Sequence, residues 1–161
     1  MTHTKQAWLD GTDSGWYVLC PEATAAGWTG EEADVFEGGY AAVHRVAGHG
    51  DLLVLGAEPL PVRWLAQERI FVRPVDLDLD DDLRPPVAEA LRAGVWEDGP
   101  VAELTAGRYL LIDTVGGGAE AIELGEYLTV DLPPGRYRVQ SLLITPDRPA
   151  PCYLERLVPL A

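Results

Sequence analysis

The sequence predicts an α+β fold made mostly of antiparallel β-sheet, with one or two short helices. Three observations carry it. Short β-rich runs recur along the whole chain, turn-length connections rich in glycine and proline separate them, and only one stretch has both helix start and stop signals. Two sheets packed face to face would satisfy this pattern. At 161 residues the chain has the size of one domain, read as residues 1–161. A chain of that length buries about 70% of the surface it exposes when unfolded.

In chain order, Tyr17-Val18-Leu19-Cys20 is a short apolar run ended by Pro21 and reads as a strand. Glu31 to Glu37 is acidic, followed by Gly38-Gly39, and reads as a short helix or turn. Tyr40 to Val46 and Asp51 to Leu55 flank Ala47-Gly48-His49-Gly50, which predicts a hairpin. Pro59 and Pro61 interrupt the pattern, and Arg69 to Val75 resumes it as a strand.

The clear helix signal follows. Pro85-Pro86 precede Val87 to Ala93, and Gly94 comes after. Proline suits a first helical turn, where its missing N–H has no partner to lose, and glycine suits a left-handed stop. Val87, Ala90 and Leu91 share one face, so this short helix is expected to lie on a sheet.

The second half reads as β-structure. Val101 to Leu104 and Arg108 to Val115 flank Thr105-Ala106-Gly107, and Tyr127 to Leu132 and Arg136 to Ile144 flank Pro133-Pro134-Gly135. The first pair predicts a hairpin with a three-residue loop, and Pro134-Gly135 predicts a type II turn. Tyr109 to Ile112 is apolar throughout and reads as a central strand. In the strand after Gly135, Tyr137 and Val139 point one way, and Arg136, Arg138 and Gln140 the other. Cys152 to Val158 is the last strand, after a proline-rich turn from Pro146 to Pro151.

Charge is the compositional outlier, at −14 net. Residues 133–161 carry Arg136, Arg138, Arg148 and Arg156 against Asp147 and Glu155, which is +2 and leaves −16 on residues 1–132. Such a surface repels nucleic acid and anionic membrane and attracts basic partners. Only Lys5 accompanies eleven arginines, the usage of a GC-rich bacterial genome. No stretch approaches the ~20 apolar residues that span a bilayer, and the first residues lack the apolar core of a signal peptide. The chain is therefore read as cytoplasmic, with Cys20 and Cys152 as reduced, buried thiols.

Catalytic and metal motifs are weak. Starting from Asp76, a calcium loop of EF-hand type would need glycine at Asp81 and glutamate at Val87. His3, His44 and His49 form no closely spaced pair, so no metal is expected. Gly116-Gly117-Gly118 lacks the Gly-Lys-Ser/Thr of a phosphate loop and reads as a flexible turn where no helix begins. Asp113 reads as a turn cap, and neither Ser14 nor Ser141 lies in a nucleophile elbow. No catalytic residue and no cofactor is assigned, and the chain is read as a non-enzyme. The tryptophans Trp8, Trp16, Trp28, Trp64 and Trp96 read as packing residues, some of them candidates for interface anchors or sugar stacking.

The order of segments resembles the immunity protein 21 family of bacterial polymorphic toxin systems. The likeness rests on Trp8, Ser14-Gly15, Cys20-Pro21, Gly39-Tyr40, Leu53 to Pro61 with Trp64-Leu65, and Trp96-Glu97. It continues through Leu111-Ile112-Asp113, Leu132 to Val139 and Glu155 to Leu160, so it covers nearly the whole chain. Leu53-Val54-Leu55-Gly56-Ala57-Glu58-Pro59-Leu60-Pro61 is its most specific part. The resemblance implies a protein that neutralises a toxin by direct binding, and the charge adds the expectation of a basic toxin. The alternative is a β-sandwich that binds a ligand such as a sugar through exposed tryptophans. Toxin-binding candidates are the carboxylates Glu31, Glu32, Asp34 and Glu37, and the run Asp76, Asp78, Asp80, Asp81 and Asp82. The run has a second reading, as a solvated lead-in to the helix that follows, favoured by the positive N-terminal end of that helix.

Overall fold

The computed structural model describes Leu9 and residues 16–35, 41–56, 60–75, 82–144 and 151–161, with the backbone alone at 34 and 35. Its strands are β1 (Tyr17–Pro21), β2 (Ala41–Val46), β3 (Gly50–Leu55), β4 (Arg63–Leu65), β5 (Ile70–Pro74), β6 (Glu97–Leu104), β7 (Arg108–Asp113), β8 (Leu128–Asp131), β9 (Gly135–Ile144) and β10 (Cys152–Pro159). They form two antiparallel sheets, ordered β2-β3-β1-β7-β8 and β4-β5-β10-β9-β6. Short helices accompany them: α1 (Glu22–Ala25), α2 (Arg84–Ala93) and α3 (Gly118–Leu124), with a 3₁₀ turn over Glu31–Val35. The fold class is the expected α+β, with sheet dominant.

Strand alternation divides the apolar residues into three layers. Tyr17, Leu19, Leu53 and Leu111 of the first sheet meet Phe71, Tyr137, Val139 and Leu157 of the second in a central core. Val18, Cys20, Leu52, Val54, Leu110 and Ile112 face the other way and are covered by Ala25, Trp28 and Ala121. Ile70, Val72, Cys152 and Leu154, on the far face of the second sheet, are covered by Leu83, Val87 and Ala90. Both faces of each sheet are thus buried, which is why Tyr17 to Cys20 and Tyr109 to Ile112 are apolar without alternation.

The expected hairpin across Ala47 to Gly50 is present, pairing Val46 with Gly50 and Ala41 with Leu55. The other two expected turns are corrected. Thr105-Ala106-Gly107 leads from β6 in the second sheet to β7 in the first, and Pro133-Pro134 leads from β8 in the first to β9 in the second. Both are crossings between sheets at one end of the sandwich. The Leu132 amide donates to the Gly107 carbonyl at 2.8 Å, which ties the crossings together, and Tyr137 Oη donates to the Pro133 carbonyl at 2.5 Å. Gly135 is the first residue of β9 and does not have a positive φ. A turn sequence specifies a change of direction, while the strand that follows pairs wherever its apolar face is buried.

Two helix expectations also change. The helix at Arg84–Ala93 has proline in its first turn as expected, but Gly94 is extended (φ −71°, ψ 148°) and not left-handed. Helix α3 begins within the glycine run that reads as a flexible turn. Its glycine is required by close packing: a Cβ on Gly118 would lie 1.7 Å from the Ala25 carbonyl oxygen.

Cys20 and Cys152 are free and buried, as expected. They belong to the outer faces of different sheets, with the central core between them.

One ion pair lies inside the sandwich. Arg73 on β5 and Glu155 on β10 project to the same side as Phe71 and Leu157 and are almost fully buried. Arg73 Nη2 donates to the Glu155 carboxylate, and Nη1 donates at 2.9 Å to the carbonyl of Gly56, which follows β3. The guanidinium therefore joins the second sheet to the first. Burial pushes the Glu155 carboxyl above its ordinary value even with this guanidinium beside it. Removing one partner strands the other charge in the core, whereas removing both does not. Arg73→Met is expected to cost about 3–5 kcal/mol in denaturant unfolding, and Arg73→Met/Glu155→Leu to recover most of that loss. A double variant no more stable than the single one would contradict this account.

Candidate functional site

The cover over the first sheet is organised by Trp28, which is almost fully buried. Its indole Nε1 donates to the Thr114 carbonyl at 3.2 Å, and its own carbonyl accepts from the Gly118 amide at 2.8 Å. His49, from the β2–β3 turn, meets the indole edge-on with ring centroids 5.9 Å apart. Gly30 approaches the Val115 carbonyl so closely that a Cβ would stand 2.9 Å from its oxygen. One aromatic residue thus joins the segment around α1, the hairpin turn and the start of α3.

Around it lies a chain of polar groups that sequence spacing did not reveal. Cys20 Sγ is 3.4 Å from His49 Nδ1, and Thr24 Oγ1 is 2.8 Å from that same nitrogen. On the other side of the ring, His49 Nε2 is 3.6 Å from Glu32 Oε2. The Thr29 amide donates to both Glu32 oxygens at 3.1 Å, and the Thr29 hydroxyl also bonds the carboxylate. Burial alone would raise the Glu32 carboxyl, but these hydrogen bonds, with His49 beside it, hold it below its ordinary value.

A thiol, an imidazole and a carboxylate in this order have the outline of a nucleophilic site. Two features argue against that chemistry. Cys20 is fully buried, and burial pushes its thiol up to about 11, so the thiolate is scarce at neutral pH. Cys20 and Glu32 also approach opposite nitrogens of one ring, an arrangement that does not converge on one metal ion. Among the described residues no group of three or more His, Cys, Asp or Glu side chains could hold a metal. His44 is half-buried on β2. Asp113 accepts from the Val115 amide at 3.2 Å, consistent with a turn cap.

Among the sequence-predicted acidic residues, the described ones lie apart. Glu31 is exposed and Glu32 half-buried in the 3₁₀ turn, whose backbone also carries Asp34; Glu37 lies outside the described residues. Asp76, Asp78, Asp80 and Asp81 also lie outside them. Asp82 stands at the start of α2, where it accepts from Arg84 Nε at 3.0 Å and from the Arg84 amide at 3.1 Å. Because Ala33 packs on the first sheet and α2 on the second, the described members of the two segments sit on opposite outer faces.

Sequence reading missed the carboxylates of α3 and its flanks, Glu120, Glu123 and Glu126, all exposed. No lysine or arginine occurs from Glu22 to His44, nor from Tyr109 to Gly135, and these are the segments that cover the first sheet. That absence of cations was visible in the sequence, but the adjacency of the two segments was not. The second sheet differs. Its outer face presents Arg138 and Arg156, the latter 4.1 Å above the Trp96 ring and bonded through Nε to Gln140 Oε1 at 2.7 Å. The described tryptophans Trp16, Trp64 and Trp96 are half-buried and Trp28 is buried, so they form no open aromatic platform for a sugar; Trp8 lies outside the described residues.

The family model of immunity protein 21 matches residues 7–150. This chain belongs to the immunity protein 21 family. No curated protein and no solved structure matches it. Membership brings toxin immunity as the functional setting and a toxin as the implied partner, and immunity proteins are generally non-catalytic. Among the described residues no helix is long and apolar enough to cross a membrane.

Two outcomes follow from the geometry. Cys20, and Cys152 with its thiol pushed up to about 12 by burial, are expected to resist a thiol reagent in the folded chain and react fully once it is unfolded. Rapid labelling of either at neutral pH would contradict the packing. Because the Glu32 carboxyl is held low, its stabilising contribution is present above the ordinary carboxylate range and is lost as pH falls through the lowered value. Glu32→Gln is expected to cost about 1 kcal/mol at neutral pH, with the difference from wild type vanishing in acid; equal losses at both pH values would refute it.

Proposed function

We propose that this protein neutralises a cognate bacterial toxin by direct protein–protein contact in the cytoplasm, without catalysis, and that the toxin is basic. The family match carries the reading, and the one-sided distribution of charge supports it. Many toxins of these systems act on nucleic acid and present cations to it. An inhibitor that offers carboxylates where phosphates would sit competes for the same surface. The negative charge of Glu31, Glu32, Asp34 and Glu37, and of Asp76, Asp78, Asp80, Asp81 and Asp82, in segments with no basic residue of their own, raises the rate of encounter with such a partner. Nucleic acid and anionic membrane are disfavoured as partners by the same charge.

The direct test is co-expression of the chain with the toxin encoded beside it, followed by co-purification. Rescue of growth with a stable complex is expected; an active toxin in the presence of the folded chain sinks the proposal. Replacing the five aspartates of the 76–82 run by asparagine is expected to slow association, most at low salt, and to change dissociation less. Association kinetics at two ionic strengths check this. An unchanged association rate at low salt would leave the run as a solvated lead-in to α2.

A further inference from the structure

The reading above leaves open which face meets the toxin. Among the described residues, exposed apolar side chains occur at two places on the covers of the sandwich. On the first sheet's cover, Val115, Ile122 and Leu124 are 55%, 37% and 59% exposed. On the second sheet's cover, Leu91 and Val95 are 40% and 91% exposed. Apolar exposure alone does not choose between them, but charge does. Beside Leu91 and Val95 arginines stand among the acids, Arg92 paired with Glu89 and Arg84 with Asp82, with Glu97 exposed nearby. Beside Ile122 and Leu124 stand Glu120, Glu123 and Glu126, in a segment without a cation between Tyr109 and Gly135. Packed against the start of α3 is the other cation-free segment, Glu22 to His44, joined to it by the Trp28 carbonyl and Gly118 amide bond of 2.8 Å.

We infer that the α3 side of the first sheet's cover is the docking face for the toxin, with Ile122 and Leu124 as apolar anchors and the surrounding carboxylates receiving a basic rim. This rests on the reading of the chain as an inhibitor that binds its toxin directly. The face combines the two components of a tight protein contact. Apolar side chains desolvate at its centre and hold the complex, while like charges around them select a partner of opposite sign. The opposite outer face carries Arg138 and Arg156, whereas the two segments over the first sheet contain no cation, so a cationic partner meets less repulsion on the first sheet's cover. Trp28 fixes this cover to the sheet, so little ordering is left to occur on contact.

The experiment uses the full chain and the toxin encoded beside it, with binding kinetics at low and high salt. Ile122→Ser/Leu124→Ser is expected to weaken binding by about tenfold or more, chiefly through faster dissociation. Glu120→Lys/Glu123→Lys is expected to slow association by about tenfold at low salt, with the loss shrinking at high salt. Leu91→Ser/Val95→Ser is expected to change neither rate. The inference is overturned if the Leu91/Val95 pair weakens binding while the α3 variants bind like wild type. Hydrogen exchange on the unaltered complex provides a reading that does not depend on variant folding. Protection over residues 22–35 and 113–126 supports the assignment, and protection confined to residues 84–96 overturns it. A wild-type chain that does not bind the toxin refutes direct inhibition itself, a result separable from binding at the wrong face.

Discussion

Each sheet of this sandwich has two apolar faces, and the chain must cover the outer pair with little material. The central core consumes one face of each sheet, leaving Val18, Cys20, Leu52, Val54, Leu110 and Ile112 on one side and Ile70, Val72, Cys152 and Leu154 on the other. Helices as short as α1 and α3 do not persist alone in water, since too few bonds repay the cost of nucleation. They exist here because the sheet beneath needs covering. Trp28 supplies what those helices lack in area. Its large apolar surface fills the cover, and both its indole N–H and its backbone carbonyl find partners in the segment that leads to α3.

The same economy separates charge. A short cover has few positions facing solvent, and its sign is set by whatever occupies them. Over the first sheet those positions hold Glu31, Glu120, Glu123 and Glu126; over the second, α2 carries Arg84 and Arg92 beside Asp82 and Glu89, and β9 and β10 add Arg138 and Arg156. A net charge of −14 is therefore not a uniform coat. The two segments over the first sheet contain no cation to offset their carboxylates, at a cost in self-repulsion that a cationic partner would relieve.

Much of the fold was legible because the signals were local. The hairpin between β2 and β3, the helix at Arg84–Ala93 and the facing of Tyr137 and Val139 each depend on residues within a few positions of one another. The two sheet crossings were not legible, because Thr105-Ala106-Gly107 and Pro133-Pro134-Gly135 have the composition of hairpin turns and only distant pairing distinguishes the outcomes. Helix α3 was hidden for a related reason: it starts at Gly118, without a side-chain cap, where tertiary contact with Ala25 decides the conformation. The candidate site was the least legible part. Cys20, Glu32 and His49 come from a strand, a 3₁₀ turn and a hairpin turn, and the segments joined by Trp28 are far apart in sequence.

That cluster of thiol, imidazole and carboxylate also shows why geometry has to be read together with burial. In an open cleft the order Cys20, His49, Glu32 would suit nucleophilic chemistry; here Cys20 is fully buried with its thiol pushed up to about 11, so little thiolate is present. What it does instead is hold a carboxylate still. Glu32 is fixed from below by His49 and from the side by both donors of Thr29, so its orientation is set before any partner arrives. For the cation-binding surface proposed here, that prior ordering matters. A mobile glutamate surrenders side-chain entropy when it pairs, while one already fixed in place surrenders little. On the proposal that this cover meets the toxin, the same groups serve as the foundation of a rigid, acidic contact surface.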